Sequence, residues 1–182
     1  MTDPARIQRD MKGTASYLGQ VRRQGALRVQ GATPALLKRA MAGLSRAALT
    51  RRPALGKWSL QEIVCHLADV EVVTGWRYRM ILAQSGSPLT AFDQDRWASE
   101  TNYRRQDPKV ALETFAALRR RHLALIRQTP RTAWSRFGIH QERGRVTFRD
   151  LVEWEAAHDL NHLAQVTRLR RLLASSRRTR KR

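Results

Sequence analysis

At 182 residues and 42% hydrophobic content the chain suits one globular domain with a real core, and no apolar run approaches the ~18 residues of a membrane span. A single cysteine, Cys65, excludes an internal disulfide framework, and no basic-then-apolar leader opens the chain, so a reducing cytoplasm is the expected setting. The formal charge of +20 predicts non-specific adhesion to polyanions at low salt, without by itself specifying nucleic-acid recognition.

Residues 1–24 are polar with scattered Gly and read as a poorly defined N-terminal extension. Thr33-Pro34 opens a first helix, Ala35 to about Leu49, with Pro34 in the first turn where a missing N–H costs nothing. An earlier start near Gly25, with Pro34 inside the helix, is the alternative. Ser59-Leu60-Gln61-Glu62 is a capping box, and Ile63, Leu67, Val70, Thr74 and Ile81 carry a second helix to about Gln84. Ser85-Gly86-Ser87-Pro88 ends it. Residues 89–106 form a polar connection with one short helix around Gln94–Ser99, long enough to suggest a crossover.

Asp107-Pro108 caps a third helix through Leu112, Phe115, Leu118, His122 and Ile126, which stops before Thr129-Pro130. Residues 131–146 look irregular, with a small hairpin as one option around Gly138 and Gly144. Thr147 then opens a fourth helix, Phe148 to roughly Ala174, capped by Asp150. The tail 175–182 reads as basic and disordered. The fold class expected is an all-α four-helix bundle over residues 25–174. Both ends supply the charge: residues 11–61 carry ten Lys/Arg, residues 160–182 carry eight, and neither stretch holds an acid.

His158 and His162 stand four residues apart, so they share one helix face. At 100° per residue they flank by about 20° the line through Leu151 and Leu169, the middle of the apolar stripe. Buried imidazoles need partners, and one shared metal ion satisfies both. The bland reading, core histidines in ordinary hydrogen bonds, competes with it. No His, Cys, Asp or Glu follows His162, so a third ligand must come from upstream. His66 lies on the inward face of the second helix and is the best third ligand. His140 sits in a Gly-flanked loop, and His122 reads as a packed core residue. The span His158-Asp159-Leu160-Asn161-His162 has zincin spacing, but Asp is a methylene short of the usual base and the downstream ligand is missing.

The residues Lys57-Trp58-Ser59 through His66-Leu67-Ala68-Asp69-Val70-Glu71 resemble the second-helix signature of the DinB-like superfamily, and His158 through His162 matches its H-x-x-x-H. Phe92-Asp93-Gln94-Asp95-Arg96-Trp97 resembles a loop of its YfiT-like branch, which includes bacillithiol S-transferase-like proteins. The similarity runs from about Thr33 to Leu173. It implies one divalent metal, zinc or nickel, on His66, His158 and His162, with an open position for water or a low-molecular-weight thiol. It also implies a small-molecule substrate and a homodimer.

Asp69 and Glu155 are candidate proton acceptors beside the ligands, with surface or interhelical pairing as the plainer reading. Arg77, about 16 Å past His66 by helical rise, is a candidate for an anionic substrate group or a buried partner of Asp95. Cys65 reads as packing, and Trp58, Trp76, Trp97, Trp134 and Trp154 as core and loop anchors. Three functions follow: a metal-dependent thiol transferase or hydrolase, a non-catalytic metal-stabilised regulatory bundle, or a polyanion binder acting through the basic termini.

Overall fold

The computed structural model describes residues 11–179, with side chains through Ser175. A helical stretch over 11–15 precedes α1 (Leu18–Gln24), α2 (Ala26–Met41), α3 (Arg46–Thr50) and α4 (Leu60–Ala83). After β1 (Ser87–Leu89) come α5 (Gln94–Glu100), α6 (Pro108–Gln128) and a 3₁₀ turn, Arg131–Ser135. Strands β2 (Phe137–His140) and β3 (Gly144–Thr147) then lead into α7 (Phe148–Thr179). The long helices α2, α4, α6 and α7 form the four-helix bundle expected from the sequence.

Contacts along the helices set their directions. Glu71 of α4 meets Arg119 and His122 of α6, while Tyr78 and Ile81 share a cluster with Ile126, so α4 and α6 run parallel. His66 lies against His158, and Tyr78 against Phe148, so α4 and α7 are antiparallel. Parallel neighbours cannot be joined by a tight turn. The chain between α4 and α6 therefore runs back along the bundle, carrying β1 and α5, and this is the crossover.

Several local expectations are corrected. The first helix is the alternative form, Ala26–Met41 with Pro34 inside, and α3 is a separate turn capped by Ser45. Proline removes the N–H that would bond the Gln30 carbonyl, and Arg119 Nη1 donates to that oxygen instead at 3.1 Å. Part of the expected N-terminal extension is the helix α1, whose buried Val21 packs with Ala156 and Ala157; residues 1–10 lie outside the described residues. The hairpin forms as β2–β3, but β1 adds a parallel strand where only a helix-ending turn was expected. The fourth helix continues through Thr179, past the expected start of a disordered tail at 175, because its basic run contains no Gly or Pro; residues 180–182 lie outside the described residues. Trp76 is exposed rather than a core anchor, about 100° round α4 from the inward Arg77.

Two apolar clusters fill the bundle. One gathers Leu37, Ile63, Leu67, Phe115, Val166 and Leu169, and the other gathers Tyr78, Ile81, Leu89, Ile126, Val146 and Phe148. The bundle also encloses a buried polar group. Arg119 donates through Nε and Nη2 to Glu71 Oε1, at 2.9 and 2.6 Å, and through Nη2 to Asp159 Oδ1 at 3.0 Å. Thr33 Oγ1 donates to Asp159 Oδ2 at 2.8 Å, and His122 Nδ1 lies 2.7 Å from Glu71 Oε2. All four long helices meet there. Gly75 permits the close approach of α4 and α6, since a Cβ at that position would lie 2.3 Å from His122 Nε2.

Arg119→Met is expected to destabilise the fold by about 3–5 kcal/mol, because it leaves two buried carboxylates without their cation. Urea midpoints of the purified variant and wild type measure it.

Candidate metal centre

His66 enters from near the start of α4, and His158 and His162 from successive turns of α7. The Nε2 atoms of His66 and His158 lie 3.2 Å apart, and those of His158 and His162 lie 3.0 Å apart. One ligand atom from each residue falls within 4.8 Å of the others. His158 Nε2 thus faces two ring nitrogens at once. A single proton satisfies one such contact well, whereas a cation shared by three lone pairs satisfies all of them. Two nitrogens at 2.0–2.1 Å from a tetrahedral zinc are about 3.3 Å apart, close to the separations found. The donor set fits a divalent ion.

Burial sets the protonation of the pair on α7. It holds His162 down to about 4, with Gln165 partly opposing, and pushes His158 well below the ordinary imidazole range, aided by His162 and Arg119. Both are neutral donors at neutral pH, the form a metal requires.

Trp58 forms one wall. Its ring centroid is 4.7 Å from that of His66, and it stacks on His162 at 6.4 Å with planes 13° apart. The helix cap fixes this position. Glu62 accepts from Ser59 N–H at 2.9 Å and from the Ser59 hydroxyl at 2.8 Å, and Arg52 reaches back to the same carboxylate. Beside Trp58 a cavity of about 580 Å³ opens over His158 and His162.

The other predicted residues are dispersed. Glu155, one turn before His158 on α7, is buried with Oε2 unpartnered; burial pushes its carboxyl up to about 7, with Glu71 adding and Arg77 opposing. Asp69 accepts from the Tyr103 hydroxyl at 2.6 Å and so anchors the crossover. Arg77 is buried, donates to the Thr90 carbonyl at 2.7 Å, and has its charge opposed by Glu155 and Glu142. It is absent from the lining of the cavity over the histidines.

His140 lies in β2, where its Nδ1 accepts from the Glu142 N–H at 3.2 Å, and burial with Arg77 and Arg143 holds it down to about 4. It does not join the three rings. Cys65 is a buried free thiol pushed up to about 12 by burial. Sequence reading missed the roles of Arg119, Glu71 and Asp159. The available signal was a charged Arg119 beside Phe115 and His122 on the inward stripe of α6.

A profile of the DinB superfamily matches residues 31–166. Among curated relatives, "Putative metal-dependent hydrolase OB0782" of Oceanobacillus iheyensis is 26% identical over 136 residues, 75% of this chain and 78% of that protein. "Putative metal-dependent hydrolase YfiT" of Bacillus subtilis is 24% identical over 144 residues, 79% of this chain and 81% of that protein. The solved structure of B. subtilis YfiT matches with a TM-score of 0.77 at 23% identity, covering 82% of this chain and 86% of YfiT. A mycothiol-dependent maleylpyruvate isomerase matches with a TM-score of 0.63 at 13% identity, covering 78% of this chain and 59% of the isomerase. Both structures share the fold.

Protein purified without a histidine tag is expected to carry about one divalent ion per chain, and His66→Ala or His158→Ala to lose it, as read by elemental analysis. Acidification through pH 6.5 is expected to leave the ion in place, because His162 takes up a proton only near pH 4. Release already complete at pH 6 would contradict the neutral, desolvated donor pair.

Proposed function

The chain belongs to the DinB superfamily, and from that premise we propose that it is a metal-dependent hydrolase acting on a small molecule at His66, His158 and His162. The observation that carries the reading is the convergence of the three ring nitrogens beneath an open cavity. The relatives named as metal-dependent hydrolases support it. A divalent ion held there supplies Lewis acidity and eases ionisation of water or a thiol at neutral pH. Imidazole donors suit zinc or nickel.

The chain's own residues supply the rest. Imidazoles that ligate through a lone pair bring no negative charge, so an ion held by the three rings would stay strongly polarising. Trp58 closes one side of the rings and limits water there. Glu155, with an affinity for protons tuned near neutrality, is placed one turn from His158 to take up or return a proton. A second reading, a thiol transferase, is favoured by the size of the cavity, which has room for a thiol cofactor beside the substrate. The proposal includes a cytoplasmic setting and a homodimer, with Val72 and Trp76, exposed one turn apart on α4, as its apolar contact.

Turnover of activated esters and amides is expected to vanish on chelation, return with zinc or nickel, and be lost in His158→Ala. In Glu155→Gln, kcat is expected to fall by about 10²-fold at unchanged metal content. Steady-state kinetics beside elemental analysis separate the two effects. Turnover that survives complete metal removal would end the hydrolase reading.

A further inference from the structure

The cavity over His158 and His162 is lined by two kinds of side chain, both supplied by the loop before α4 and by α7. One kind is apolar and reaches the surface. Leu55 is fully exposed at 100%, Leu172 is 53% exposed, and Trp58 continues the apolar lining down to the rings. Covering large aliphatic side chains at the mouth of a cavity with an apolar ligand is favourable, by about 25 cal/mol per Å² buried. The other kind carries charge of one sign: Lys57 and Arg168 line the cavity, and no Asp or Glu does. Among the described residues neither cation forms an ion pair, unlike Arg52, which is spent on Glu62.

The wider sequence reinforces this. Lys57 comes from the acid-free stretch 11–61 and Arg168 from the acid-free stretch 160–182, so two of the segments that line the mouth are basic, while the third, around Gln94, carries Asp93 and Asp95 without placing either in the lining. Arg77, the buried cation on the inward stripe of α4, is turned to Thr90 and is not available here.

We propose that this cavity takes an amphiphile with one anionic group, a carboxylate or a phosphate monoester. Its hydrocarbon lies on Leu55, Trp58 and Leu172, and its charge lies between Lys57 and Arg168. The inference names the substrate class of the site proposed above and rests on that reading only for what happens after binding. A small polar anion would leave the leucines uncovered. A neutral apolar molecule would leave the two exposed cations at the mouth without a counter-charge. An amphiphile answers both, and a volume of about 580 Å³ is of the size that holds such a molecule with its reacting bond near the rings.

Calorimetric titration of octanoate, octyl phosphate and neutral octanamide tests this, run on metal-loaded wild type and on metal-free His158→Ala. Both anions are expected to bind about tenfold more tightly than octanamide. Arg168→Gln and Lys57→Gln are expected to remove most of that preference while leaving octanamide affinity unchanged. Leu172→Ser is expected to weaken all three ligands. Since a carboxylate can also ligate a metal, the preference must persist in His158→Ala to support the cationic lining.

Equal affinity for octanoate and octanamide, or a preference untouched by both cation variants, overturns the proposal even if metal-dependent turnover is found. Loss of metal-dependent turnover with the preference intact would overturn the hydrolase reading alone. Displacement of octanoate by a single-stranded oligonucleotide at equal phosphate concentration would reassign the mouth to a polyanion and overturn it as well. Circular dichroism of each variant confirms that the helices are retained.

Discussion

The structure depends on how one buried guanidinium is held. Arg119 lies inside a helical bundle with almost no water, and a charge there is tolerable only if opposite charges and hydrogen-bond acceptors surround it. Glu71 from α4 and Asp159 from α7 supply the charge, and the Gln30 carbonyl from α2 supplies a further acceptor. Burial drives Asp159 upward in pKa, yet both of its oxygens accept, from Arg119 and from Thr33, so the ionised form is the one the geometry requires. Glu71 is shared between Arg119 and His122, and Asp159 between Arg119 and Thr33, so each carboxylate is held by two partners.

The same group fixes the rotation of α7. Asp159 directly follows His158, about 100° round the helix, so a helix pinned by Asp159 toward α2 and α6 presents His158 and His162 toward α4. On α4 the corresponding pin is Glu71, held by Arg119 and His122, five residues after His66. The ligand-bearing helices are therefore locked in register by an ion cluster that never touches the ligands themselves. Pro34 contributes by withholding an N–H: the carbonyl it frees becomes the α2 acceptor for Arg119.

This arrangement explains what could be read from the sequence. Helix starts were legible where a side chain caps its own helix, at Ser59, Asp107 and Thr147, because those signals are local. The pairing of His158 with His162 was legible from their four-residue spacing, whereas His66, on a distant helix, was reached through its inward face and the family resemblance. Arg119, Glu71 and Asp159 were not legible, since their pairing joins positions 40 and 48 residues apart through packing that no local pattern encodes. Strand β1 was hidden for the same reason. Three residues after a turn become a strand only because the distant β2 pairs with them. Pro34 misled in the opposite way: a strong local rule was overridden by a tertiary partner for the exposed carbonyl.

The two faces of the histidine cluster are unlike, and the difference follows from helix direction. Because α4 and α7 are antiparallel, the loop leading into α4 and the later turns of α7 lie together, and both belong to the acid-free, basic parts of the sequence. The cavity opens on that side, beside Lys57 and Arg168. Earlier on α7, one turn before the ligands, Glu155 is sealed from solvent and faces the charge of Arg77. A molecule entering through the cavity thus approaches the rings from the basic side, while Glu155, a buried carboxyl poised near neutrality, lies one turn earlier on α7. Arg168 at the mouth and Glu155 at the proton site stand thirteen residues apart on α7, about 20 Å by helical rise, so charge for recognition and charge for proton transfer do not neutralise each other.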